Sequence, residues 1–205
     1  MSLYVGASGF SYPTWKPAFY PAGTPPREFL RFYAERFPTV ELNTTGYRLP
    51  EEEQFRRWTE ETPEGFRFAV KLPHPNRLAI FTERVRVLGP KLGPVRIVVQ
   101  QARDDAFLAR LLDSLDPELR WALDFRHGSW ADAPAGRAAV VGALEGTADF
   151  RYLRLREPPY DDESLHGWAD RIRSALAQGI DVYAYFKHED EPTAPAYAAR
   201  LLELL

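Results

Sequence analysis

The residues able to do chemistry recur at one kind of place. Glu41 and Asn43 alternate with Val40 and Leu42, and Lys71 ends the run Phe66–Lys71. Asp124 and Arg126 alternate with Leu123 and Phe125 and are followed by His127. Arg154 and Arg156 alternate with Leu153 and Leu155, while Tyr183, Tyr185 and Lys187 alternate along Asp181–Lys187. A two-residue alternation sends successive side chains to opposite faces of a strand. If the polar faces converge, the cations Lys71, Arg126, Arg154 and Lys187 surround the carboxylates Glu41 and Asp124. A buried charge without a partner costs several kcal/mol. Lys71 with Glu41 and Arg126 with Asp124 would pair internally, the purely structural reading, yet cations would remain in excess. That excess points to a small anionic ligand, a phosphate or carboxylate gripped by arginine.

On this reading Lys71, Arg126, Arg154 and Lys187 bind the anion, Glu41 or Asp124 is the acid or base, and His127 assists. Asn43, Tyr12 and Trp130 complete the substrate-binding set. Other chemistries fit less well. Glu41, Asp124 and His127 share no diagnostic ligand spacing, so no metal is expected, and no cofactor is called for. A glycosidase-like pair of Glu41 and Asp124 needs one protonated acid, which neighbouring cations would disfavour. His74, between two prolines, reads as a structural loop residue, and His166 and His188 read as solvated. Arg151–Arg156, with its interleaved aromatic, has the makings of a nucleic-acid contact. The net charge of −3 speaks against that partner.

The elements that must position these side chains alternate strand and helix. Strands are expected near 3–7, 39–43, 66–71, 95–99, 120–125, 150–155 and 181–186. Helices start at Thr24-Pro25 and Pro50–Glu53, lie near Glu83–Leu88, and span Asp104–Leu115, Gly136–Leu144, Ser164–Gln178 and Ala194–Leu205. Such alternation predicts parallel strands with crossover helices. The composition, 45% hydrophobic and 14% aromatic over 205 residues, supports one domain across 1–205. The absence of Cys excludes disulfides and thiol chemistry. Met1–Val5 enters strand-like sequence with no signal-peptide pattern, and no apolar run is long enough to span a membrane, so a cytoplasmic location is expected.

The expected fold class is α/β, a TIM-type (β/α) barrel. A complete barrel typically needs about 250 residues. Here about seven strands can be counted, because Gly146–Asp149, roughly 14 Å at most when extended, is too short for a strand. One βα unit near 131–149 is read as shortened. A doubly wound sheet is the alternative, but the first strand lacks the glycine-rich dinucleotide turn.

Val5-Gly6-Ala7-Ser8-Gly9-Phe10-Ser11-Tyr12-Pro13, with Trp15 and Phe19-Tyr20-Pro21, resembles the opening of the YecE-like family, also called domain of unknown function 72. Phe37–Pro50 is similar to its second block, and Phe68–Lys71, Leu92–Val95, Ala122–Trp130 and Val182–Phe186 match later ones in order. The resemblance implies a TIM-type barrel and leaves the reaction open. The chain departs from the family pattern at Gly46, at Gln100–Arg103, at Arg154-Leu155-Arg156-Glu157 (where a site histidine is replaced) and at Lys187–Asp190.

Two classes of function stay open: an enzyme acting on a small anionic metabolite, and a non-catalytic binding protein on a degenerate barrel. The shortened unit also has a structural consequence. The barrel should close with fewer strands or gape between the strands at Trp121 and Phe150. Exposed strand edges are usually covered, here by a helix over 134–145 or by a second copy of the chain in a homodimer.

Overall fold

A computed structural model describes residues 1–187 and 190–205; His188 and Glu189, part of the departure after the last strand, lie outside the described residues. The strands are β1 (Leu3–Ala7), β2 (Thr39–Leu42), β3 (Arg67–Lys71), β4 (Leu92–Val99), β5 (Trp121–Phe125), β6 (Ala139–Val140), β7 (Phe150–Leu155) and β8 (Asp181–Phe186). They form two sheets, ordered β1-β8-β7 and β2-β3-β4-β5-β6. All ladders are parallel. The helices are α1 (Phe29–Ala34), α2 (Glu52–Glu60), α3 (Leu78–Val85), α4 (Asp105–Ser114), α5 (Asp162–Ala177) and α6 (Thr193–Leu204).

The alternation in the sequence sorts the side chains into two layers. Val40, Val70, Ile97, Leu123, Leu153 and Ala184 belong to one apolar cluster with Phe29, Phe55, Phe81, Leu108, Ile172 and Leu201, one from each of α1 to α6. The opposite parity meets between the sheets. There Ala69, Ala122 and Ala139 from the five-stranded sheet pack with Phe150, Tyr152, Tyr183 and Tyr185 from the three-stranded one. Small residues on one side accommodate large rings on the other, which is how two faces reach the packing density of a protein interior.

No ladder joins the sheets among the described residues, but side chains and one main-chain bond bridge both seams. Between β1 and β2, the Tyr33 hydroxyl accepts from the Ala7 N–H at 2.7 Å and donates to the Thr39 carbonyl at 3.0 Å. A Cβ on Gly6 would stand 2.2 Å from that carbonyl, so the close approach requires glycine. Between β6 and β7, the Gly142 N–H donates to the Tyr152 carbonyl at 2.8 Å.

The sixth strand corrects the expectation for 131–149. The Ala-rich stretch expected to be helical over Gly136–Leu144 instead holds β6, with Ala139 in register with Ala122 and Val140 with Leu123. Among the described residues there are therefore eight strands rather than about seven. What is missing are α-helices: none is found between β5 and β7, only a short 3-10 turn at Gly128–Trp130. Gly136, Gly142 and Gly146 all have positive φ, which breaks any helix there. The helix expected over 134–145 is not formed, and β6 occupies part of the expected gap instead, although no ladder joins it to β7 among the described residues.

The N-terminal ends of the strands are tied off. Arg120 bonds Asp181 at 2.7 Å, Asp149 at 3.1 Å and the Tyr183 hydroxyl at 3.2 Å. The aromatic first loop folds back on α1, with Tyr20 stacked on Phe29 at 4.1 Å. Among the described residues no helix is long and apolar enough to cross a membrane.

Candidate functional site

The polar parity of the strands converges near their C-terminal ends. Glu41 of β2 is fully buried and accepts four hydrogen bonds. Its Oε1 takes Tyr152 Oη at 2.7 Å and Arg96 Nη1 at 3.2 Å. Its Oε2 takes Arg154 Nε at 3.0 Å and Asn43 Nδ2 at 3.1 Å, with Arg154 Nη2 in ion-pair contact at 2.9 Å. Arg96 of β4 turns its other edge to Asp124 of β5: Nε and Nη2 both reach Oδ2 at 2.8 Å. Arg126 Nη2 meets the same oxygen at 2.8 Å. Asn43 completes the mesh by accepting from Arg96 Nη1 at 3.0 Å.

The expected members Glu41, Asn43, Asp124, Arg126 and Arg154 are thus brought together. The expected Lys71–Glu41 pair is not formed, because Arg96 and Arg154 take the carboxylate instead. Lys71 extends past Gly46, where a Cβ would stand 2.4 Å from its stem, and places Nζ 4.9 Å from the centre of the Tyr47 ring. It has no salt bridge among the described residues. The other predicted pair, Arg126 with Asp124, is present.

Two residues of the cluster were missed by the sequence reading. Arg96 lies in an apolar run whose same-parity neighbour is Val98, so alternation did not single it out; a lone arginine inside a buried strand was the available signal. Tyr152 stood on the right face but was not picked as a site residue. Conversely, His127 and Trp130 are not drawn into the network. His127 Nδ1 accepts from its neighbour Ser129 N–H at 3.2 Å and lies 2.8 Å from the Ser129 hydroxyl, capping the turn that follows β5. Trp130 is buried against Phe125, ring centres 4.8 Å apart, with Nε1 donating to the Gln101 carbonyl. Phe125 has the helix-facing parity, so Trp130 belongs to the outer layer. Lys187 is exposed at the end of β8. Tyr12 is half-buried, its hydroxyl donating to the Ser8 carbonyl at 3.2 Å. Arg151, read as part of a nucleic-acid stretch, is buried and bound to main-chain carbonyls. His74 caps its own loop by accepting from the Asn76 N–H.

The electrostatics follow from this packing. Burial alone would raise the Glu41 carboxyl; Arg154 and Arg96, with the Tyr152 and Asn43 bonds, outweigh it and hold Glu41 below the usual carboxylate range. Lys71 is pushed down by burial and then by Arg96, with Arg154 and Arg126 adding and only Glu41 opposing. Burial also lowers Arg126; Asp124 opposes it, while Arg156, Arg96 and Arg154 reinforce it. Burial and the Glu41 charge together push the Tyr12 phenol up to about 12. Asp124 Oδ1 accepts no hydrogen bond among the described residues, so it is the one carboxylate oxygen of the pair left open. No group of three His, Asp or Glu side chains suited to a metal occurs among the described residues.

Residues 4–205 match the family described as protein of unknown function DUF72. The chain is similar to UPF0759 protein YecE of Escherichia coli (strain K12), 31% identical over 139 residues, covering 61% of this chain and 48% of that protein. It is also similar to UPF0759 protein YunF of Bacillus subtilis (strain 168), 24% identical over 182 residues, covering 83% and 60%. The chain therefore spans about half to three-fifths of the length of these relatives. Among solved structures, a DUF72 family protein from Thermotoga maritima superposes with a TM-score of 0.82 at 24% identity, covering 100% of this chain and 99% of that one. One from Enterococcus faecalis gives 0.81 at 15% identity, covering 99% and 97%. These likenesses concern the fold.

Proposed function

The chain belongs to the DUF72 family, the YecE-like proteins of unknown function, and we propose that it binds a small metabolite through a phosphate or carboxylate group at the C-terminal ends of its strands. We read the two sheets with their bridged seams as one TIM-type barrel domain over 1–205, the architecture that places ligand sites at that end. The observation that carries the proposal is the surplus of positive charge. Among the described residues Lys71, Arg96, Arg126 and Arg154 share the two carboxylates Glu41 and Asp124, and Lys71 and Arg126 are depressed first by burial and then by their cationic neighbours. An anion between them would relieve that crowding, and guanidinium groups suit planar or tetrahedral oxyanions.

In this reading Lys71, Arg126 and Arg154 contact the anion, with Lys187 at the rim. Glu41, held by four hydrogen bonds and by ion pairs with both arginines, sets the direction of Arg96 and Arg154. Asp124 is the better acid/base candidate, since its Oδ1 remains available to a substrate proton. A non-catalytic binding protein is the second reading, favoured by His127 being spent on its own turn.

Calorimetric titration with inorganic phosphate tests the anion site; binding abolished in Arg126→Met is expected, and no binding by the wild-type chain would sink the proposal. A turnover screen of phosphorylated and carboxylated metabolites separates the two readings. Activity lost in Asp124→Asn with phosphate affinity retained favours the enzyme, and binding without turnover of any ligand favours the binding protein.

A further inference from the structure

We infer that the Lys71 amine forms an imine with the ligand, so that the small metabolite is an aldehyde or ketone carrying the phosphate or carboxylate group. This rests on the anion site proposed above and names its substrate class. Lys71 ends β3 on the parity that carries the cluster and lies in register with Arg96 of β4. Its stem runs against Gly46, where a Cβ would stand 2.4 Å from Cδ, and its Nζ lies 4.9 Å from the centre of the exposed Tyr47 ring. Among the described residues Nζ makes no ion pair and no hydrogen bond. Glu41, the carboxylate that acts on it, is spent on Arg96, Arg154, Tyr152 and Asn43.

Lys91 is the contrasting case. It too is pushed down by burial, but its Nζ donates to the carbonyls of Thr59 at 2.5 Å and Thr62 at 2.6 Å and to the Thr62 hydroxyl at 3.2 Å. Those bonds use all three protons of an ammonium group and leave it no free electron pair. At Lys71 burial is joined by Arg96, Arg154 and Arg126, with only Glu41 opposing, and no acceptor holds the proton in place. A lysine desolvated beside other cations is the state in which an amine attacks carbonyl carbon at neutral pH. Held next to an oxyanion site, it suits a carbonyl in the same molecule as the anion.

The neutral Nζ adds to the carbonyl carbon, and the π pair of the carbonyl moves onto oxygen. That oxygen takes one proton from Nζ and one from solvent and leaves as water, while the nitrogen pair closes the C=N bond. Nothing is oxidised or reduced. The protonated imine carries one positive charge where the ammonium stood, so the anion on Arg126 and Arg154 keeps a cation beside it.

The chain holds four lysines, Lys16, Lys71, Lys91 and Lys187, so an adduct can be mapped to one of them. The wild-type chain is incubated at neutral pH with glycolaldehyde phosphate or glycolaldehyde and sodium cyanoborohydride, which reduces an imine to a stable secondary amine. Peptide mass spectrometry then locates the adduct. Lys71 should carry most of the label. The phosphate ester should label it at least about tenfold faster than glycolaldehyde, because a bound anion holds the carbonyl at Nζ. Excess inorganic phosphate should remove that advantage. Lys71→Arg keeps the cation, so it should still bind phosphate in calorimetry while losing the adduct. If phosphate binds but Lys71 is labelled no more than Lys187, or equally fast by both aldehydes, the imine is wrong and the anion site stands. If phosphate does not bind and the two aldehydes react alike, the anion site falls and the substrate class with it.

Discussion

Arg96 Nη1 donates to Glu41 Oε1 at 3.2 Å from two strands away, passing over β3. The pair is almost fully buried, with side-chain exposures of 3% and 0%. Because Arg96 also holds Asp124, one guanidinium fixes both carboxylates of the site. Removing one partner from a buried ion pair typically costs about 3–5 kcal/mol, because the other charge is left uncompensated. Arg96→Met should therefore lower the unfolding free energy by about that amount in urea titration. A loss under about 1 kcal/mol would mean that Arg126 and Arg154 alone satisfy the carboxylates.

Glu41 makes the acid limb of stability predictable in sign. Its folded pKa is depressed, so the unfolded chain takes up the proton first as pH falls. The stabilisation is fully present above the ordinary glutamate value, about 4.3, and is lost as pH drops through the lower folded value. Glu41→Gln should be less stable than wild type at pH 7, and the difference should shrink steadily below about pH 4. Denaturation curves recorded from pH 7 to pH 3 check this; a constant difference would show that Glu41 is not the group being titrated.

Lys71 should behave in the opposite sense. Burial and the neighbouring arginines lower its folded pKa, so its charged form is disfavoured by folding, and stability from this group rises as pH climbs through the folded value. The compensating contact is the exposed Tyr47 ring at 4.9 Å, worth about 0.5–1 kcal/mol at such a site. Lys71→Met should raise the thermal midpoint at pH 7 and abolish phosphate binding. A lower midpoint would show that contacts of the lysine stem outweigh the charge crowding.

Much of this was legible because the strands alternate cleanly. Glu41, Asp124 and Arg154 could be placed on one face from parity alone, and the family resemblance supplied the order of the blocks. Arg96 was hidden because a parallel strand buried on both faces reads as a continuous apolar run. β6 was hidden by its length: two residues carry no period, and local alanine content argued for helix while packing against Ala122 decided otherwise. His127 and Trp130 stand outside the hydrogen-bond network for a different reason. Nearness to Arg126 along the chain does not fix hydrogen-bond partners: His127 caps its own turn, and Trp130 packs on Phe125 and donates to the Gln101 carbonyl.

Arg151 governs the seam beside β6. It is 5% exposed and donates to the carbonyls of Leu144 at 2.6 Å, Ala148 at 2.8 Å, Phe150 at 3.0 Å and Gly146 at 3.1 Å. These bonds gather the turn that carries the chain from β6 back to β7, where no helix does so. The turn in turn presents the Gly142 N–H to the Tyr152 carbonyl, on the residue whose hydroxyl binds Glu41. Charge-assisted bonds to buried acceptors are worth about 1.5–3 kcal/mol each but do not add when one side chain makes them all. Arg151→Met should therefore cost about 3 kcal/mol, concentrated in one region. Hydrogen exchange should accelerate at Gly142 and across 143–150, while amides deep in the other sheet, such as Val70 and Ile97, keep their protection. Uniform acceleration throughout the chain would show instead that Arg151 supports the whole fold and not the seam.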